Sequence, residues 1–231
     1  MEDFSLALAL YDFVPVVLTG IGVFSLAALV RKHRVPWAFL ATVGATLVFA
    51  AGMTKACWKL VVTLSAHDLT WLASLLFPLM APGFALLAAG IWASRRQRQK
   101  KSINKDFWLM PLAIIGVAAA LALFRVDAGI ERGWFLPALS LASLSNIALT
   151  VMLFMTAWQN EQRLVAVLFT VNLAMVFALI PIAQFSHYSI AMHWFEQTLT
   201  TIGAAAFAYA AYRLGERLSV IDIPKPLEPH Q

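Results

Sequence analysis

Seven runs of apolar residues divide this chain, at about 8–30, 36–62, 69–93, 107–124, 134–158, 164–185 and 192–214. Each approaches the ~20 residues that a helix needs to cross ~30 Å of hydrocarbon at 1.5 Å per residue. Lipid offers the backbone no hydrogen-bond partner, so a span must satisfy its own N–H and C=O groups. The runs also lack the alternation of barrel strands. The reading is an all-α membrane protein with seven transmembrane helices. Hydrophobic residues make up 61% of the 231 and charged residues only 13%, more apolar surface than one soluble core encloses. Residues 1–220 are read as one seven-helix domain. Residues 221–231, with Pro224, Pro226 and Pro229, are read as a short disordered tail. The acidic start Met1-Glu2-Asp3-Phe4 lacks the basic region of a cleaved signal, so the first run is read as the first span.

Basic residues give the spans a direction. Arg31, Lys32 and Arg34 lie between runs 1 and 2, and Arg95, Arg96, Arg98, Lys100, Lys101 and Lys105 between runs 3 and 4. Arg163 follows run 5, and Arg213, Arg217 and Lys225 close the chain, so thirteen of the 17 basic residues share one side. The other side holds Arg125 and Arg132 together with Glu2, Asp3, Asp68, Asp127 and Glu131. This asymmetry predicts a cytoplasmic C-terminus and an outside N-terminus, in a cell membrane of the bacterial inner-membrane type. The basic stretch from Ser94 to Lys101 has no interleaved aromatic residues. It therefore reads as an anchor on anionic lipid, with no nucleic-acid partner expected. Cys57 is the single cysteine, so no intrachain disulfide forms.

Internal echoes connect the first three spans with the last three. Thr42-Val43 and Val48-Phe49-Ala50 recur as Thr170-Val171 and Val176-Phe177-Ala178. Trp71 precedes Phe84-Ala85 by the interval that separates Trp194 from Phe207-Ala208, and Phe13-Val-Pro15 echoes Phe135-Leu-Pro137. Two triplets facing the same way around a linker helix make a 3+1+3 parallel repeat. That plan resembles the architecture of SWEET-type sugar transporters and is similar to that of seven-helix rhodopsins. No Pro-Gln dipeptide of the first group occurs, and residues 192–214 lack the lysine that retinal would need. The likeness is one of architecture, which speaks to fold before function.

Ionisable and amide side chains at membrane depth are costly and mark candidate sites. Lys55 and Lys59 share a face of span 2 near its outer end, Asp12 lies early in span 1, and Glu196, Gln197 and Thr200 line one side of span 7. Lys55 is expected to pair with Glu196 or Asp12. Asn146 and Asn172 stand deeper, where amides commonly link helices. Phe77-Pro78-Leu-Met-Ala-Pro82-Gly83 is expected to kink span 3 near its middle. The eight tryptophans near span ends fit an aromatic belt.

Together these residues describe an outward-facing polar cavity, and a transporter or binding protein for a small molecule, ion or lipid. Lys55 and Lys59 favour an anionic group, such as a carboxylate or a lipid headgroup phosphate. A metal-dependent intramembrane hydrolase is the alternative, with zinc on His67, His187 and His193 as in seven-helix ceramidase-like enzymes. Otherwise no cofactor is expected: no P-loop, G-x-S-x-G or C-x-x-C motif occurs. A third alternative is a non-catalytic subunit of a membrane complex. The small-residue stretch Gly203–Ala211 in span 7 would permit close packing against a partner or a second copy.

Overall fold

A computed structural model describes residues 5–65, 69–185 and 190–221 of the chain. Among the described residues the protein is all helical, built from seven rods. The first is α1 (Leu6–Tyr11) continued by α2 (Phe13–Lys32); the second is α3 (Phe39–Ser65); the third is α4 (Thr70–Ser74) continued by α5 (Leu76–Arg98). Then follow α6 (Leu109–Asp127), α7 (Phe135–Gln159), α8 (Arg163–Phe185) and α9 (Ile190–Ile221). Five segments are long and apolar enough to cross a membrane: Leu6–Lys32, Phe39–Ser65, Thr70–Arg98, Asp106–Asp127 and Phe135–Gln159. In α8 the apolar stretch Arg163–Leu179 is shorter, and α9 carries His193, Glu196, Gln197 and several threonines in its first turns.

Proline chemistry explains where the rods are interrupted. A proline has no N–H, so the carbonyl four residues earlier loses its helical partner. Pro15 acts in this way on Tyr11, and the first rod is interrupted at Asp12, the next residue. Pro78 acts on Ser74, and the third rod is interrupted at Leu75. The interruption falls one turn before Pro78, which sits in the first turn of α5. Pro82 is carried inside the continuing helix.

Neighbouring rods pack in the circular order α2, α3, α5, α7, α8, α9 and back to α2, with α6 outside the ring against α7 and α5. Lipid tails are as apolar as leucine, so packing between such helices depends on close backbone approach more than on burial. The crossing of α3 and α5 shows this. A Cβ on Gly44 would stand 2.7 Å from the Gly83 carbonyl oxygen, and one on Gly83 would stand 2.9 Å from that of Gly44. Gly83 thus serves helix contact beside Pro82. Below the crossing, Val23, Leu26, Val30, Leu87, Leu149, Phe169 and Leu214 form a solid core. By contrast α6 turns Met110, Val117, Leu123 and Phe124 outward, each about 70% exposed, as a lipid-facing helix would.

Two helices outrun their apolar stretches. α5 continues through the basic residues to Arg98, and α9 to Ile221, into the region read as a tail. Hydropathy marks where lipid ends, whereas a helix stops where its hydrogen bonds stop.

Candidate functional site

Four rods enclose a cavity of about 230 Å³ at one end of the bundle. The first contributes Asp12, Pro15, Val16 and Thr19, spaced as one face of a helix. α3 contributes Val48, Gly52, Lys55, Ala56 and Lys59 at the same kind of spacing; α5 adds Leu76 and Met80, and α9 adds Gln197 and Thr200. Five of the eight sequence-predicted binding residues therefore meet in one place: Asp12, Lys55, Lys59, Gln197 and Thr200. The proline-associated breaks at Asp12 and Leu75 lie beside the cavity lining.

Its electrostatics begin with an ion pair. Lys59 Nζ lies 2.5 Å from Asp12 Oδ2, with side chains only 13% and 7% exposed. Asp12 is thus engaged by Lys59, the lysine one turn beyond Lys55. Lys59 stands nearer the end of α3, beside the break in the first rod. Lys55 is exposed on the same face. One carboxylate and two ammonium groups thus stand among the described residues that line the wall.

Neutral polar groups complete it. Gln197 is buried to 8% exposure, and its amide makes no hydrogen bond among the described residues. An amide on a cavity wall can both donate to and accept from a ligand or water. Thr200 donates its hydroxyl proton to the Glu196 carbonyl oxygen at 2.8 Å, leaving its oxygen lone pairs for the cavity. Thr19, half-buried on the wall, was overlooked in the sequence; its place seven residues after Asp12 was the available signal.

The remaining candidates lie elsewhere. Glu196 is outside the cavity lining, with Oε2 3.8 Å from His193 Nδ1. Asn172 Oδ1 faces the α9 backbone at Gly203, 3.5 Å from where a Cβ would stand, an interhelical position. Asn146 is half-buried in α7. His67, Asp68 and His187 lie outside the described residues, so only His193 of the three zinc candidates has a described position. Among the described residues no group of three or more His, Cys, Asp or Glu side chains gathers.

At the opposite end are the basic residues. Arg95 donates from Nη1 to the Met152 carbonyl oxygen at 2.7 Å, and Arg98 donates from Nη2 to Asn160 Oδ1 at 3.2 Å. Trp108, 4% exposed, donates its indole N–H to the Pro36 carbonyl oxygen at 2.7 Å. No family model matches the chain, and neither a curated protein nor a solved structure does.

Proposed function

We propose that the chain is a seven-span protein of a bacterial inner membrane, its N-terminus outside, whose outward-facing cavity binds a small anionic group for transport or sensing. The observation that carries this reading is the convergence of Lys55, Lys59, Gln197 and Thr200 on one cavity wall. Ammonium groups attract the anion, and an amide and hydroxyls orient it. The cavity volume suits a carboxylate or phosphate group with a small substituent. The prolines support a moving part: rods broken at Asp12 and Leu75 have short outer segments, α1 and α4, that could pivot over the opening.

The circular rod order supports the 3+1+3 plan. Under it the contacts of α2 with α9 and of α5 with α7 become equivalent, and α6 is the peripheral linker. Pro15 and Pro137 occupy the same third position of α2 and α7.

The test uses the purified full chain in detergent, with thermal unfolding followed against phosphate, acetate and succinate, and with choline as a cationic control. A ligand at a hundredfold its Kd stabilises by about 2.7 kcal/mol, a rise of several degrees. The rise is expected with one of the anions in wild type and lost in Lys55→Ala and Gln197→Ala. Equal responses from all three proteins to every probe would overturn the reading.

A further inference from the structure

A second polar cleft of about 210 Å³ opens at the basic end, between the last turns of α5 and α7. It lies fifteen residues along α5 from Met80 of the first cavity, about 22 Å at helical rise, and shares no residue with it. Its lining is Arg95, Arg98, Gln99, Thr156, Gln159 and Asn160, with no apolar side chain and no carboxylate.

Both guanidinium groups are held in place. The Met152 carbonyl and the Asn160 side-chain oxygen each take one N–H, and Asn160 is itself fixed by donating from Nδ2 to the Thr156 carbonyl oxygen at 2.6 Å. Each guanidinium carries five N–H donors, so most remain for a ligand. Among the described residues neither arginine forms an ion pair. Two like charges close enough to act on one another, fixed by neutral acceptors, leave a positive charge uncompensated. Amides from Gln99, Gln159 and Asn160 surround it with further donors.

We propose that this cleft is a phosphate-binding site, separate from the outer cavity, in which Arg95 and Arg98 take a phosphate mono- or diester through forked hydrogen bonds. Such forks match the planar pairs of phosphate oxygens, and a single ammonium group does not. Its level fits a lipid headgroup. Trp92 and Trp158 flank it on α5 and α7 at 41% and 52% exposure, as interfacial tryptophans would, with Arg96 stacked on the first and Arg163 on the second. A soluble phosphate ester has the same chemistry.

The purified full chain is titrated with short-chain phosphatidylglycerol, phosphatidylcholine and inorganic phosphate, followed by native mass spectrometry and thermal unfolding. Wild type is expected to retain phosphatidylglycerol, and Arg95→Gln/Arg98→Gln to bind it at least about tenfold more weakly, the scale of one charged hydrogen bond. Arg98→Lys keeps the charge and the fold and is expected to lose about threefold, the part due to the fork. Preference for phosphatidylglycerol over phosphatidylcholine identifies the lipid source; stabilisation by inorganic phosphate alone identifies a soluble one. Arg31→Gln/Lys32→Gln, which removes basic charge from the same end, should bind as wild type. Equal binding by wild type, Arg98→Lys and the double variant would overturn the site, as would an equal loss in Arg31→Gln/Lys32→Gln.

Discussion

The two ends of the bundle handle charge in opposite ways. At the cavity end a few ionisable groups sit low among helices: Asp12 and Lys59 are closely paired, and Gln197 is nearly buried. At the other end basic residues are numerous and ride on helix ends, and Arg213 meets Glu216 at 3.1 Å with both side chains about half exposed. Identical chemistry is therefore placed in two dielectric settings. Exposed pairs are worth little, whereas a buried pair is costly to break because one charge stays behind. The first arrangement makes stability sensitive to single changes, and exposed pairs such as Arg213 with Glu216 tolerate them.

What keeps the ends apart is the packed middle, and its failure should have the largest effect. In Gly83→Val the added side chain would enter the space filled by the Gly44 carbonyl and Val48. Backbone cannot give way as a flexible side chain can, so a loss of more than about 3 kcal/mol is expected. The check is folded yield by size-exclusion chromatography in detergent. A well-folded Gly83→Val protein with wild-type melting would show that the α3–α5 crossing is loose and that the ends are not separated there.

Next comes the ion pair of the cavity. Asp12→Asn is expected to cost about 2–3 kcal/mol, below the full range for a buried pair because Lys59 retains some access to water. Asp12→Asn/Lys59→Met should recover most of that loss, and thermal unfolding of the four proteins in the cycle measures the coupling. A double variant no better than Asp12→Asn would mean that the pair is not the unit its geometry indicates.

Much of this was legible in the sequence. Apolar runs marked all seven rods, five of which are long and apolar enough to cross a membrane, and the spacing of Lys55 with Lys59 and of Gln197 with Thr200 gave the faces that meet. Three things were not legible. The pairing of Asp12 depends on how far each helix reaches, which Pro15 alters through a carbonyl one turn away. The break at Leu75 was displaced from the prolines for the same reason. The Arg95–Arg98 cleft was hidden because a run of basic residues looks the same whether its members are solvated or lie against another helix. Only the contact of α5 with Met152 and Asn160 distinguishes them.

A smaller effect concerns how helices end. α6, at the cavity end, stops on Gly129 at φ +73°, whereas α5 stops on Lys100 at φ +56°. In both, the following N–H closes back onto the helix, Ile130 onto the Arg125 carbonyl and Lys101 onto that of Arg96. A side chain in this left-handed conformation costs roughly 1 kcal/mol that glycine avoids. Lys100→Gly is therefore expected to stabilise by up to about 1 kcal/mol, seen as a melting temperature a few degrees higher. A lower melting temperature would show that the Lys100 charge contributes more than its backbone costs.

The smallest effect is the counterpart of the Asp12 cycle. Glu216 accepts from Arg213 Nη1 and, at 3.2 Å, from the Tyr212 hydroxyl, all on the exposed side of α9. Water competes for each partner, and salt screens what is left. Glu216→Gln should change stability by no more than about 0.5 kcal/mol, with less change still in high salt. Measured in the same detergent, the Arg213–Glu216 coupling should fall well below that of Asp12 with Lys59. Should the two couplings be equal, depth in the bundle would not set the strength of these pairs. The sensitivity assigned to the cavity end would then have to come from shape instead of charge.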